Sequence, residues 1–450
     1  MKKLGFITDD MTGTMTCGAL LAKAGIQACS YFSPYNMPGA EKQEAVIISA
    51  NSRNLPPEQA KRKVKEAYHA LLKQKTTFFT KRIDTTFRGG IGYEVDALLE
   101  EMPSNTIAVM AAAMPDTHRI VVGGYSIING VILTETGAAS DAMSPVKQAH
   151  IPTLIRSQSN NQVEEIGLNK VLAGKAVLRE ALIAKKNSGG KIIIVDAITT
   201  EHLHMVAQVI NELGWNVLAI DPGAFSLQLA LCRGFGNFKR IPKHPENFPD
   251  AEGYAGKVIV VAGSATDVTR KQINMLRGKE YVECVSIYQS KLIKTDTDAD
   301  MEINRAVSEG IHRIEISTCK VLVLGTAIFN QKIDLKTEEK HLCFPKGRAS
   351  TNINKSLGKI VNGILNAPFV KKNLKGLYMT GGDTLVTVLQ AIGASGLHLI
   401  DTVIPQTNLG RIIGGPFEGT SIVGKGGMIG KEDTAILAVN RLFYETVKRS

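Results

Sequence analysis

Short apolar runs that stop at glycine, aspartate or threonine, each giving way to a helical pattern, recur along this chain. That alternation leaves few architectures open. A strand apolar at consecutive positions needs both faces covered, and the intervening helices supply the cover. Leu4 to Thr8 reads as a strand and Thr12 to Ala24 as the helix after it, closed by Gly25. Ala45 to Ser49, Thr77 to Arg82, Thr106 to Ala112, Lys191 to Val195 and Trp215 to Ile220 read as further strands. Helices are expected from Pro56-Pro57-Glu58 through Lys73, with proline in the first turn, and from Gly92 to Glu101. A hairpin is expected between Gly123 and Thr134, turning at Asn129-Gly130.

Between Gly234 and Gly256 the periodicity lapses into Gly, Pro, Asn and Lys, and a new series starts at Lys257. It reads as a strand over Val258 to Ala262, a helix over Val268 to Arg277, a strand over Val321 to Gly325 and a helix over Ile353 to Ala367. Two final strands run into Thr380-Gly381-Gly382-Asp383-Thr384 and Lys425-Gly426-Gly427-Met428-Ile429-Gly430. At 450 residues the chain is too long for one ordinary core. The expected fold is therefore α/β, with two three-layer domains, largely parallel sheets and an interdomain cleft. Residues 1–240 form the first domain, 241–256 a linker and 257–450 the second.

Ligands in open α/β sheets bind beyond the carboxyl ends of the strands. Those ends carry Asp9, Asp10, Thr12, Arg53, Lys81, Asp84 and Arg88 in the first half, and Arg119 follows the Met114-Pro115 turn. Guanidinium and ammonium groups bind carboxylates, and aspartates bind vicinal hydroxyls, so this set describes a polyhydroxy acid. The second half contributes Ser264, Gly381, Gly382, Asp383, Thr384, Lys425 and Gly427. Glycines let main chain approach a phosphate and turn N–H groups toward it; Lys425 would neutralise its charge and Asp383 hold a metal ion. Each element has a plainer explanation: glycine turns with no ligand, helix capping by Asp9, Asp10 or Ser264, and surface ion pairs for Arg53 and Arg88. Their shared position at strand ends favours a site, and a hydroxy acid opposite a nucleotide is the arrangement of a kinase.

The formal net charge is +11, but Lys and Arg are scattered and aromatics do not interleave with them, so a nucleic-acid surface is not indicated. No apolar stretch approaches the ~20 residues of a membrane span, and Asp9-Asp10 follow the start too closely for a signal peptide. Cys17, Cys29, Cys232, Cys284, Cys319 and Cys343 are widely spaced, and His202 and His204 point to different helix faces, which argues against zinc. Reduced thiols in a cytoplasmic protein are the expectation.

Thr8-Asp9-Asp10-Met11-Thr12-Gly13, Ser52-Arg53, Lys81 to Gly89, Gly263-Ser264, Thr380 to Thr384 and Lys425 to Gly430 stand in the order seen in the four-carbon acid sugar kinases, which the chain resembles from about residue 4 to 435. The resemblance implies a first domain that binds a threonate, erythronate or oxo-tetronate and a second that binds ATP with Mg²⁺. It implies phosphorylation of the terminal hydroxyl. Asp9, Asp10, Arg53, Lys81 and Asp84 would touch substrate, and Ser264, Gly381, Gly382, Asp383, Thr384 and Gly427 the nucleotide. One of Asp9 and Asp10 would orient or deprotonate the attacking hydroxyl, and Asp383 would ligate Mg²⁺. Thr16, His118 and Gln406 stand where the family usually has an acidic residue and two glycines. A homodimer is compatible with this reading. The alternative is a non-catalytic sensor of a sugar acid or nucleotide descended from such a kinase. A dinucleotide oxidoreductase would need a GxGxxG after a strand, which is missing.

Overall fold

The computed structural model describes residues 2–141, 144–237, 248–263 and 266–447. Two compact units divide the chain, Met1–Ile241 and Pro242–Ser450. The expected linker falls partly on residues outside the described ones.

The strands of the first unit are β1 (Leu4–Thr8), β2 (Ala28–Tyr31), β3 (Ala45–Ser49), β4 (Phe78–Arg82), β5 (Ile107–Met110), β6 (Arg119–Val122), β7 (Tyr125–Ile128), β8 (Val131–Ile132), β9 (Val163–Ile166), β10 (Ile192–Val195) and β11 (Val217–Asp221). Eight of them lie side by side in the order β2-β3-β1-β4-β11-β5-β10-β9, every described pairing parallel. β1, β3 and β10 are buried along their whole length, the pattern of strands covered on both faces. Helices Met11–Lys23, Pro57–Lys73, Ile91–Glu101 and Thr200–Leu213 supply cover. Leu4, Phe6, Leu21, Ala28 and Ile47 share one core cluster.

β6, β7 and β8 form a separate antiparallel sheet. Its second turn is the expected one: Asn129 and Gly130 both take positive φ, at 51° and 79°, as a two-residue type I′ hairpin requires.

In the second unit the strands are β12 (Lys257–Ala262), β13 (Val282–Ser286), β14 (Val321–Gly325), β15 (Leu374–Thr380), β16 (Gly396–Ile404), β17 (Thr407–Ile413) and β18 (Ser421–Lys425). The order is β13-β14-β12-β15-β18-β17-β16, parallel as far as β18, with β17 and β16 antiparallel. Val258, Val260, Val323, Tyr378, Val423 and Phe443 share its core.

The sequence reading missed β2, β9, β13 and the β16–β17 hairpin. Glutamates interrupt β9 and β13, which end their units' strand orders and so need cover on fewer sides. β16 and β17 carry His398, Asp401, Asn408 and Arg411 among their apolar residues, which hides the alternation. Both units reverse their winding direction at the strand that carries their first motif. β1 lies between β3 and β4, and β12 between β14 and β15, so each is the switch point of its sheet. Register then brings the motif-bearing ends level. Thr8 pairs Ser49 and Arg82 in the first unit. Ala262 pairs Thr380, and Thr380 pairs Lys425, in the second. No helix among the described residues is long and apolar enough to cross a membrane.

Candidate active site

Beyond β1 the chain turns through Asp9 and enters helix Met11–Lys23 at Asp10, whose Oδ1 accepts the Gly13 amide at 2.8 Å. Asp9 holds the next strand's loop as well, its carbonyl accepting the amides of Ser52 and Arg53. Arg53 is thereby laid across three carboxylates: Nε reaches Asp9 Oδ2 at 2.7 Å, Nη1 Asp10 Oδ2 at 2.7 Å and Nη2 Asp84 Oδ1 at 3.6 Å. Arg82, the last residue of β4, closes the same group from below. Its Nη1 lies 3.0 Å from Asp9 Oδ1 and 3.2 Å from Asp10 Oδ1. Gly13 is glycine for this reason: a Cβ there would stand 1.9 Å from that Nη1. Asp84 accepts from Thr86 and from Arg88 Nε at 2.6 Å, and Arg88 Nη1 extends to Asp141 at 2.9 Å.

These contacts part the two neighbouring aspartates. Burial pushes both carboxyls up, but Arg53, Arg82 and Lys81 outweigh it at Asp9 and hold that group below its ordinary value. At Asp10, burial together with the adjacent Asp9 charge prevails over Arg53 and Arg82, and the carboxyl lies above its ordinary value. Asp10 is also the more accessible, its side chain 22% exposed against 5% for Asp9. Burial likewise opposes the Asp84 charge, yet Arg53 and Arg88 keep it well below the usual carboxylate range.

Arg119 stands apart. Nη1 donates to Thr117 O at 2.8 Å, Nε is buried with no partner, and no carboxylate lies within ion-pair distance among the described residues. Thr12 sits half-buried in the first turn of helix Met11–Lys23. Lys81 departs from expectation. It faces the opposite side of β4 from Arg82, is 1% exposed, and its ammonium meets the buried Glu94 carboxylate at 2.8 Å. A substrate carboxylate would have to displace Glu94 to reach it. Arg53, expected to hold that carboxylate, is already shared among Asp9, Asp10 and Asp84.

In the second unit the ends of β12, β15 and β18 form one group. Gly381 follows β15 at φ 96°, donates its amide to Lys425 O at 3.0 Å, and opens helix Gly382–Ala391 without a side-chain cap. The first amides of that helix remain unsatisfied by its own turns, and its dipole favours an anion there. Gly263 packs on Thr384, where a Cβ would come within 2.1 Å of Oγ1, and that hydroxyl donates to Asn354 Oδ1 at 2.8 Å. Gly427 is fixed through its carbonyl, which accepts from Thr266 at 2.6 Å and Thr269 at 2.9 Å. Asp383 is exposed in the first turn of helix Gly382–Ala391. Ser264 lies outside the described residues.

Lys425 is 4% exposed. Its ammonium donates to Gly426 O at 2.9 Å and Thr269 Oγ1 at 3.4 Å, and no carboxylate lies within ion-pair distance among the described residues. Burial pushes it down to about 8. A buried cation with no counter-charge is a costly feature for a fold to retain, and a phosphate would complete it.

Sequence reasoning missed Arg82, Thr266, Thr269, Asn354 and Asp141. Arg82 had a signal: it and Lys81 are two cations in succession at the end of an apolar strand, so one must point to each face.

The residues divide as two family models do. One described as "Sugar-binding N-terminal domain" matches residues 4–229, and one described as "Nucleotide-binding C-terminal domain" matches 259–435. A D-erythronate kinase from Heliobacterium modesticaldum is 33% identical over 447 residues, 98% of this chain and 97% of that protein. The chain belongs to the four-carbon acid sugar kinase family. Within that family a D-threonate kinase from Salmonella typhimurium is 27% identical over 96% of both chains. A 3-oxo-tetronate kinase from Brucella melitensis is 25% identical over 96% of this chain and 93% of its own. The fold recurs in a crystal structure described as a putative tRNA synthase from Salmonella typhimurium LT2, at 20% identity and TM-score 0.77, covering 97% of this chain and 99% of that one. It recurs also in a Haemophilus influenzae protein at 22% identity and TM-score 0.72, covering 98% and 100%.

The two positions where the resemblance implies glycine have a backbone explanation. His118 and Gln406 both adopt left-handed conformations, at φ 55° and 62°, which glycine takes without strain. Thr16 donates to Thr12 O at 2.9 Å within its own helix.

Proposed function

We propose that this protein is an ATP-dependent kinase that transfers a phosphoryl group to the terminal hydroxyl of a four-carbon sugar acid. The observation that carries the proposal is Lys425: an uncompensated buried ammonium between two glycine turns and beside an uncapped helix start. Those features suit the phosphates of ATP, with the amides of Gly382 and Gly427 turned to the phosphate oxygens, Gly381 spending its own amide on Lys425 O, and Thr384 supporting Gly263.

On the acceptor side, phosphoryl transfer needs a hydroxyl held in line and stripped of its proton as the bond forms. Asp10 takes that role in this reading. Its carboxyl is the more exposed and the more basic of the pair, while Arg53 and Arg82, which grip both oxygens of Asp9, also keep Asp10 oriented. Asp84 and Thr12 would accept or donate to the remaining hydroxyls, and Arg88 would close the far end. Among the described residues no cluster of three or more His, Cys, Asp or Glu is arranged for a metal. One exposed carboxylate, Asp383, fits a Mg²⁺ carried mainly by nucleotide phosphates and water, not a cage of protein ligands. Bound there, Mg²⁺ would neutralise charge on the phosphates as the bond to the leaving group breaks. Transfer requires the terminal phosphate to meet the hydroxyl with water excluded.

The test is direct: purified protein, Mg-ATP and a panel of threonates, erythronates and oxo-tetronates of both configurations, with ADP release followed. ADP formation with one acid, and a phosphorylated acid as the second product, is the expected outcome. ATP-induced thermal stabilisation without turnover on any acid would remove the kinase reading for this substrate class. No ATP binding at all would remove the reading of the glycine turns.

A further inference from the structure

Four arginines stand in or beside the loops that follow strands of the first unit, and three are paired with carboxylates. Arg53 serves Asp9, Asp10 and Asp84, Arg82 serves Asp9 and Asp10, and Arg88 serves Asp84 and Asp141. The fourth, Arg119, has no carboxylate within ion-pair distance among the described residues, and its buried Nε has no acceptor. A guanidinium stays charged at any physiological pH, so an N–H of this kind buried without a partner is a cost the native state carries for some other benefit. The group is not remote from the cluster: burial works against its charge, and Asp84 is the carboxylate that favours it.

The backbone around Arg119 is held at both ends. Met114 N donates to Arg119 O at 2.8 Å, and the turn between β6 and β7 is tied down by Asp196, which accepts the Gly123 and Gly124 amides at 2.6 and 3.0 Å. A flexible surface arginine would have no need of such anchoring.

We infer that Arg119 is the specificity residue that recognises the carboxylate end of the substrate, and that Arg53 instead organises the aspartates around the reacting hydroxyl. This rests on the sugar-acid kinase reading and narrows it. The substrate must present a free carboxylate, and the matching four-carbon polyol, with CH₂OH in its place, is rejected because Arg119 is then left buried without an anion.

Full-length wild type, Arg119→Gln and Arg119→Lys are compared for kcat and KM with the accepted acid and with the matching tetritol. In Arg119→Gln the KM for the acid should rise about 10- to 100-fold, the loss of one or two charge-assisted hydrogen bonds, with kcat within a few-fold. Preference for acid over tetritol should collapse with it, and Arg119→Lys, which keeps charge without the planar fork, should recover part of both. Unchanged KM and preference in Arg119→Gln overturn the inference and leave the kinase intact. A loss confined to kcat overturns it too, by placing Arg119 in the chemistry. If Arg119→Gln fails to fold by circular dichroism, Arg119→Lys decides alone. Should wild type phosphorylate none of the acids, calorimetry with the same acids separates the two claims. Weaker acid binding by Arg119→Gln keeps the carboxylate role, while equal binding, or none by wild type, removes it.

Discussion

Replacing Lys425 by methionine should make the nucleotide-free protein more stable and its ATP binding far weaker. The side chain is 4% exposed with its ammonium held by one carbonyl and one hydroxyl. Holding a lysine at about 8 in place of 10.5 costs the native state roughly 3 kcal/mol at neutral pH. Methionine keeps the length and removes the charge, but it leaves Gly426 O without that donor, which costs about 1 kcal/mol. The net gain is therefore about 1–2 kcal/mol, a rise of roughly 2–8 °C for a unit of this size. Sign and pH window follow from the lysine itself. Below pH 8 it is charged in both the folded and unfolded chain, and the whole cost is present. Between about 8 and 10.5 the native state sheds the proton while the unfolded chain keeps it, so wild-type stability climbs with pH. The advantage of Lys425→Met should accordingly be full at pH 7, shrink through that window and vanish near its top. ATP should reverse the ranking. A phosphate against Lys425 restores its charge, so wild type gains several kcal/mol from saturating nucleotide and takes up a proton on binding above pH 8, while Lys425→Met gains little. Differential scanning calorimetry of both proteins at pH 7, 8.5 and 10, with and without Mg-ATP, reads all six conditions. A less stable nucleotide-free Lys425→Met at pH 7 would show that the ammonium is compensated after all. Equal ATP stabilisation of both proteins would refute the phosphate contact.

Other residues make separate demands. Asp10→Asn should lower kcat at least a hundredfold with little loss of fold stability. Asp9→Asn, which removes an acceptor gripped by two buried arginines, should destabilise the first unit by about 3 kcal/mol, read by chemical denaturation. In wild type, kcat/KM should fall on acidification as the raised Asp10 carboxyl takes a proton, and that limb should be missing from the residual activity of Asp10→Asn. Asp383→Asn should weaken Mg²⁺-dependent turnover, shifting its Mg²⁺ titration to higher concentration, while calorimetry shows sugar-acid binding intact. Gln406→Gly, in the turn that joins Ile404 to Thr407, should stabilise the second unit by about 0.5 kcal/mol. Relief of the left-handed strain slightly exceeds the entropy that glycine loses, and a thermal melt would register the difference.

How far the sequence reaches is clearest at Asp9 and Lys81. Both were expected at the site because both fall where an apolar run ends, and strand ends are where an open sheet binds ligands. Register carries that inference for Asp9, since Thr8, Ser49 and Arg82 are level and whatever follows them converges. It cannot carry it for Lys81, because being near a strand end says nothing about which face a side chain takes. One residue of alternation sends Arg82 among the aspartates and Lys81 to Glu94, a residue on helix Ile91–Glu101 that no local motif marks. The antiparallel pair β16 and β17 was lost for a related reason: polar residues break the apolar run, and only the partner strand reveals that the run continues. Partnership, then, is what a linear reading lacks. Lys425 and Arg119 draw attention for the complementary reason, that the fold provides neither with a carboxylate among the described residues. An arginine in a sequence is usually somebody's ion pair; only after each carboxylate has been assigned does the one left without a partner become visible. Other buried cations also lack a carboxylate, Lys3 and Lys257 donating to main-chain carbonyls, but Lys425 and Arg119 stand with the residues the motifs marked, and there a ligand's acids would meet them. One belongs to each unit, which is the division of charge expected of an enzyme that joins a phosphate to an acid.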